Sequence, residues 1–174
     1  MVSPGTIAKE PAANGRSGEE VLVALLREKA LLLAAAESCT GGLVADRIVR
    51  VPGASGVFWG SFVCYTPEAK INMLGVSGGI LGKYGLVSAE TAAAMAEGAL
   101  GKSGADAAVS VTGLAGPEGD LSGVPVGTVW VGTALKNGPV QTVIFHLTGS
   151  RNELRNNAAL EAVNQILKQV QEFF

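Results

Sequence analysis

The chain has 174 residues, of which 48% are hydrophobic and 16% charged, with 24 glycines; this composition suits a compact α/β core with tight turns, stable without disulfide or metal. Net charge is −2 and no window gathers a dense block of Lys or Arg, so the basic footprint of a nucleic-acid binder is missing. Two cysteines, Cys39 and Cys64, are too few for a disulfide framework and lack partners at metal spacing, which fits a reducing cytosol and implies no metal site.

Residues 1–17 carry scattered Pro, Gly, Ser and Asn without an apolar run, and read as a disordered tail rather than a signal peptide. The expected working unit is a single domain over 18–174. Ser17 and Glu20 form a capping-box pattern ahead of Val21, Leu22, Leu25 and Leu26, which predicts a first helix over about 18–28. The apolar run 31–36 is far shorter than the roughly 20 residues a bilayer needs; it reads as a buried strand, with no membrane role. Gly41 and Gly42 then open a helix carrying Leu43, Val44, Ile48 and Val49.

Pro52 and Gly53 end that helix, and the loose alternation of 57–66 predicts a strand. Pro67 suits the first turn of a short helix through about Leu74. Segment 75–85, with five glycines, reads as loop. Ser88 caps an alanine-rich helix ending near Gly101, 107–111 is a short apolar strand, and 112–123 is a glycine-rich connection too long for a hairpin turn. Asn137-Gly138 between 126–135 and 140–147 signals an antiparallel hairpin, and Leu154, Ala158, Val163, Leu167, Val170 and Phe174 stripe a final helix. The order αβαβααβββα predicts a three-layer α/β/α sandwich with a mixed, mostly parallel sheet.

Ser38 falls where an apolar run meets a glycine pair and a new helix, so backbone N–H groups from Thr40, Gly41 and Gly42 are placed to receive the charge that develops on a carbonyl oxygen under attack. A serine there is also an ordinary helix cap, and the pattern leaves both readings open. The base is open too: His146, the one histidine, lies inside an alternating strand, whereas Lys70 follows a strand on a short helix and would act if burial lowered its pKa. Tyr65 closes the same strand and is a candidate proton relay, or an edge aromatic with a wet hydroxyl.

Glu37-Ser-Cys-Thr-Gly-Gly42, Tyr65-Thr-Pro-Glu-Ala-Lys70, Gly113-Leu-Ala-Gly-Pro117, Pro125-Val-Gly-Thr-Val129 and Gly149-Ser-Arg151 together resemble the CinA C-terminal domain family, from about residue 18 to the chain end. Characterised members of that family are nicotinamide-nucleotide amidases, so the resemblance implies hydrolysis of the carboxamide of nicotinamide mononucleotide to nicotinate mononucleotide and ammonia, without metal or cofactor. It implies Ser38 as nucleophile, Lys70 as base and Tyr65 as helper.

The substrate phosphate would be cradled by the main chain around Gly113, Ala115, Gly116 and Gly119, with Arg151 and Arg155, four apart at the start of the last helix, adding charge. Two positions depart from the family pattern: Ala35 stands for a common threonine, and Val124 for a basic residue that helps hold phosphate. Val124 leaves room for a second reading, a catalytically weak nucleotide-binding or sensing module, and a third is an amidase for another small carboxamide. Many relatives carry an N-terminal domain resembling molybdopterin-binding proteins, and this sequence reads as a stand-alone form. A cytoplasmic homo-oligomer, dimer or higher, is the expected assembly.

Four other patterns are set aside. Gly75-Val-Ser77-Gly-Gly79 matches G-x-S-x-G, and Asp106 or Asp120 with His146 would complete the order of an α/β-hydrolase triad, but the residues before it look helical. Gly101-Lys102-Ser103 resembles the end of a P-loop without its first glycine. Phe58 and Trp59 suit packing better than stacking on a pyridine ring, and Cys39 has no histidine to activate it.

Overall fold

The computed structural model describes residues 15–119 and 123–174. Most of the expected N-terminal tail and residues 120–122 of the glycine-rich segment, Asp120 included, lie outside the described residues.

Helix α1 (Gly18–Glu28) opens on the predicted capping box: Ser17 Oγ accepts from Glu20 N–H and the Glu20 carboxylate accepts from Ser17 N–H. Strand β1 (Leu33–Glu37) is buried at all five positions, which is why the sequence shows a continuous apolar run there. Helix α2 (Leu43–Val49) and a 3-10 turn (Ala54–Gly56) lead to β2 (Phe58–Val63). Helix α3 (Pro67–Leu74) has Pro67 in its first turn and the Thr66 side chain as its cap.

Segment 75–85, read as loop, instead contains helix α4 (Gly78–Tyr84). Its glycines hide the helical signal, since glycine lowers propensity by roughly 1 kcal/mol per residue. The Ser77 side chain, accepting from Gly79 N–H at 3.1 Å, supplies the cap that starts it. Helix α5 (Ala89–Ser103), β3 (Ala107–Gly113), β4 (Thr128–Leu135), β5 (Val140–His146) and α6 (Arg151–Phe173) complete the order. The Asn137-Gly138 turn joins β4 to β5, with Gly138 N–H donating to Leu135 O at 3.0 Å.

The five strands lie in the order β2-β1-β3-β4-β5. β1 pairs in parallel with both β2 and β3, while β3–β4 and β4–β5 are antiparallel. Four strands therefore point one way and β4 alone is reversed; the sheet of the three-layer sandwich is mixed as expected, but because β4 sits inside it the pairings divide evenly, two parallel and two antiparallel, rather than mostly parallel. Helices α1, α2 and α6 cover one face with Leu22, Leu26, Val44, Ile48, Leu154 and Ile166. The other face packs Ala34, Ala36, Leu74 and Met95 with α3, α4 and α5. A Cβ at Gly132 would lie 2.4 Å from Ala92 O, so α5 meets β4 at main-chain distance.

After β1 the chain crosses by α2 to β2 on one side; after β2 it returns through α3, α4 and α5 to β3 on the other. The carboxyl ends of β1 and β3 thus form a topological switch point, the place where open α/β sheets leave a crevice. Among the described residues no helix is long and apolar enough to cross a membrane.

Candidate active site

Ser38 is the first residue beyond β1, and its N–H donates to Val111 O of β3 at 3.0 Å, which fastens the start of the turn to the central strands. Gly41 and Gly42 take positive φ of 59° and 104°, values that favour glycine. Glu37, fully buried, then gathers the turn and the start of α2 around its carboxylate. Oε2 accepts from Thr40 Oγ1 at 2.8 Å, Gly42 N–H at 2.9 Å and Val44 N–H at 3.0 Å. Oε1 accepts from Ala45 N–H at 3.0 Å and Ser61 Oγ at 2.8 Å. A negative group at a helix N-terminus is favourable both for the dipole and for the unpaired N–H groups.

This arrangement corrects the expected oxyanion donors. Gly42 N–H is spent on Glu37, and Gly41 N–H closes the turn on Ser38 O at 3.2 Å. Of the three expected groups, Thr40 N–H is the one without a hydrogen bond among the described residues.

Lys70 comes one turn into α3 and reaches back under the site. Its Nζ donates to Ser38 Oγ at 2.8 Å and to Cys64 O at 2.8 Å, and the residue is 1% exposed. Burial lowers its pKa from the usual 10.5, while the nearby Cys64 and Cys39 sulfurs act the other way. That opposition is weak near neutral pH, because burial pushes the Cys39 thiol up to about 11 and raises that of Cys64 as well, leaving both uncharged. Desolvation therefore decides, and it favours the neutral amine.

The pocket above Ser38 and Lys70 is walled by Leu86 and Val87, by Gly113 at the end of β3 and Ala115 just past it, and by Tyr65 and Arg151 at its mouth. Larger cavities, of about 410 Å³ beside α1 and α2 and about 600 Å³ along β2, lack Ser38 and Lys70. Convergent polar groups around a buried titratable lysine, rather than size, single out this pocket of about 180 Å³. Arg151 donates to Tyr65 Oη at 3.3 Å and to Gly116 O. Tyr65, 60% exposed, is thus bonded at the rim rather than beside the amine. A Cβ at Gly113 would lie 2.8 Å from Thr128 O, so glycine is required where the loop leaves β3.

Other patterns fall away from this centre. His146 is exposed on β5, the edge strand beyond β3 and β4. Ser77 is a helix cap, and Gly101-Lys102-Ser103 ends α5. Trp59 stacks on Phe62 with ring centroids 5.0 Å apart, on the edge strand β2, and both lie outside the Ser38 pocket. Arg155, expected at the phosphate, is bound instead to Cys39 O and Thr40 O. Sequence reasoning missed Glu37 as the anchor of the turn, although a carboxylate ending a buried apolar run was its signal. It also missed Leu86 and Val87, which carry no signal at all; the carbonyl of Leu86 is fixed by Thr112 Oγ1 at 2.7 Å.

The model of the CinA C-terminal domain matches residues 16–170. A CinA-like protein of Akkermansia muciniphila is 46% identical over 156 residues, 90% of this chain and 38% of that protein. A putative competence-damage inducible protein of Caldicellulosiruptor bescii is 43% identical over 155 residues, 89% of this chain and 38% of its own length. The chain thus spans under two-fifths of the length of these curated relatives. Among solved structures, the competence/damage inducible protein CihA from Agrobacterium tumefaciens is 36% identical with a TM-score of 0.83, covering 94% of this chain and 99% of that one. A competence-damaged protein (CinA) superfamily protein from Escherichia coli is 34% identical with a TM-score of 0.84, covering 94% and 95%. By sequence, and by the fold that carries its Ser38 turn, the chain belongs to the CinA C-terminal domain family.

Proposed function

We propose that this protein is a serine/lysine amidohydrolase that converts nicotinamide mononucleotide to nicotinate mononucleotide and ammonia. The observation that carries the reading is the 2.8 Å contact between Ser38 Oγ and the buried amine of Lys70.

In this reading the neutral Lys70 amine takes the hydroxyl proton as Ser38 Oγ bonds to the carboxamide carbon. Negative charge then develops on the former carbonyl oxygen, and Thr40 N–H is the donor that the turn leaves for it. The C–N bond breaks as Lys70 returns its proton to the departing nitrogen, releasing ammonia and a nicotinoyl ester on Ser38. Water, deprotonated by Lys70, adds to that ester; the C–Oγ bond breaks and the proton goes back to Ser38. Leu86 and Val87 offer an apolar wall to the pyridine ring, and Arg151 offers the phosphate a guanidinium at the pocket mouth.

The test is to incubate the purified chain with nicotinamide mononucleotide and measure ammonia and nicotinate mononucleotide. Release of both, lost by at least about 10³-fold in Ser38→Ala and Lys70→Ala, supports the reading. Absence of turnover, with binding equal in wild type and Ser38→Ala, overturns it in favour of the nucleotide-binding module that Val124 left open. Turnover of another carboxamide in its place would retain the dyad and replace the substrate.

A further inference from the structure

Arg151 and Arg155 lie four residues apart on one face of α6, and in sequence they read alike, as cations for a phosphate. The structure separates them. Arg151 reaches the pocket mouth, whereas Arg155 turns to the loop that carries Ser38. There its Nε donates to Cys39 O at 3.0 Å and its Nη2 to Thr40 O at 2.9 Å, with Nη1 on Asn152 Oδ1 at 3.4 Å.

Those two carbonyls belong to consecutive peptides, Cys39–Thr40 and Thr40–Gly41. In a planar trans peptide the C=O and N–H point in opposite directions, so a guanidinium holding both carbonyls sets the facing of the next two N–H groups, away from α6. The first, Thr40 N–H, is unbonded among the described residues; the second, Gly41 N–H, closes the turn on Ser38 O. A cation on a carbonyl also polarises its peptide and strengthens the N–H at the other end as a donor. The rigid fork meets the two adjacent carbonyls with separate nitrogens at fixed spacing; a lysine in its place offers a single nitrogen on a flexible stem. Gly41 fits the same picture, because a Cβ there would come 3.3 Å from Arg155 Nη2. Glu37 grips the loop through Thr40 Oγ1 and Gly42 N–H, so the loop is held by a cation on its carbonyls and an anion on its donors.

We infer that Arg155 is a positioning residue for the Ser38 nucleophile and not a ligand of substrate phosphate: by fixing the peptide planes of 39–41 it keeps Ser38 Oγ on Lys70 Nζ and leaves Thr40 N–H for the oxyanion. This inference rests on the reading of Ser38 as a nucleophile.

The test uses a fluorophosphonate probe, which needs an activated serine but no knowledge of the substrate. Ser38 Oγ bonds to phosphorus, fluoride leaves, and Lys70 takes the hydroxyl proton. Labelling rates are measured for the full wild-type chain, Arg155→Lys and Arg155→Ala, with inorganic phosphate as competitor and melting temperature recorded for each. The expected result is labelling slowed about 10- to 100-fold in both variants, the scale of a small misplacement of reacting groups. In Arg155→Lys the melting temperature stays within a few degrees of wild type, and the phosphate concentration that halves the wild-type rate also halves that of the variant. Wild-type labelling with unchanged rates in the variants overturns the inference and leaves the nucleophile standing. A several-fold weaker phosphate effect in Arg155→Lys makes Arg155 a phosphate ligand and also overturns it. Slower labelling only in proportion to a lowered melting temperature assigns a plain structural role, again against it. No labelling of wild type at Ser38 removes the nucleophile reading itself.

Discussion

Lys70 Nζ lies 2.8 Å from the main-chain oxygen of Cys64, six residues back along the chain. A carbonyl oxygen can only accept, so one N–H of the amine is committed there. A neutral amine has two N–H groups and a lone pair; with the carbonyl fixing one, the lone pair can be turned to the hydroxyl of Ser38. A charged ammonium in the same place would sit 1% exposed with a carbonyl and a hydroxyl as its bonded partners, an unfavourable exchange for water.

The first prediction is a pH profile. Activity of the wild type should rise with pH as Lys70 loses its proton, with a midpoint below the usual lysine value of 10.5 because burial lowers it. Lys70→Arg should be inactive by about 10³-fold, since a guanidinium does not deprotonate in this range. Stability should follow the same group. Between the lowered folded-state pKa and 10.5 the unfolded chain binds the extra proton, so unfolding free energy rises with pH across that window. Lys70→Met should flatten that slope in denaturant titrations, and an unchanged slope would remove Lys70 as its source.

Arg151→Ala should raise KM for a phosphorylated substrate by about 10-fold or more while lowering kcat less, because the lost group would bind ground state and transition state alike. Steady-state kinetics decide it. A fall in kcat at constant KM would place Arg151 in the chemistry instead.

Glu37→Gln should destabilise the fold by about 1–3 kcal/mol or more. All five partners of the carboxylate are donors, and an amide nitrogen turned toward either set faces them with a donor of its own. For a domain of this size that corresponds to a fall in melting temperature of at least about 2–4 °C per kcal/mol. A variant melting with the wild type would show that the turn does not depend on this anchor.

Gly132→Ala should cost about 1–3 kcal/mol by overpacking. The added methyl would meet Ala92 O at 2.4 Å and Ser110 Oγ at 2.6 Å, so helix and strand must part. Urea denaturation reads the loss, and a neutral result would mean that α5 slides without penalty.

Much of this molecule was legible before any coordinates, because its signals are local. The capping box at Ser17 and Glu20, the Asn137-Gly138 turn and the buried run ahead of Ser38 each depend on residues within a few positions of one another. The lysine was legible as a candidate only through its place after a strand and through family resemblance. Its burial was not, since that depends on packing contributed by residues far away in the chain. The same limit applies to the two arginines of α6, which share spacing and charge and differ only in what lies across from them. The oxyanion donors were misjudged because a free helix N-terminus was assumed where a carboxylate from the preceding residue occupies it. Helix α4 was missed because its glycines suppress the pattern that Ile80 and Leu81 alone could not supply.

The reversed strand β4 shapes the surroundings of Ser38 without lining the pocket itself. Because β4 runs back and β5 runs forward again, the chain finishes its sheet at the same rim from which it left β1. Helix α6 therefore sets out from beside Ser38, and its first two turns deliver one guanidinium to the mouth of the pocket and another to the underside of the Ser38 loop. A fold ending at β3 would own serine and lysine but neither of these cations. The hairpin works as a return path, converting the last quarter of the polypeptide from scaffold into part of the surroundings of Ser38.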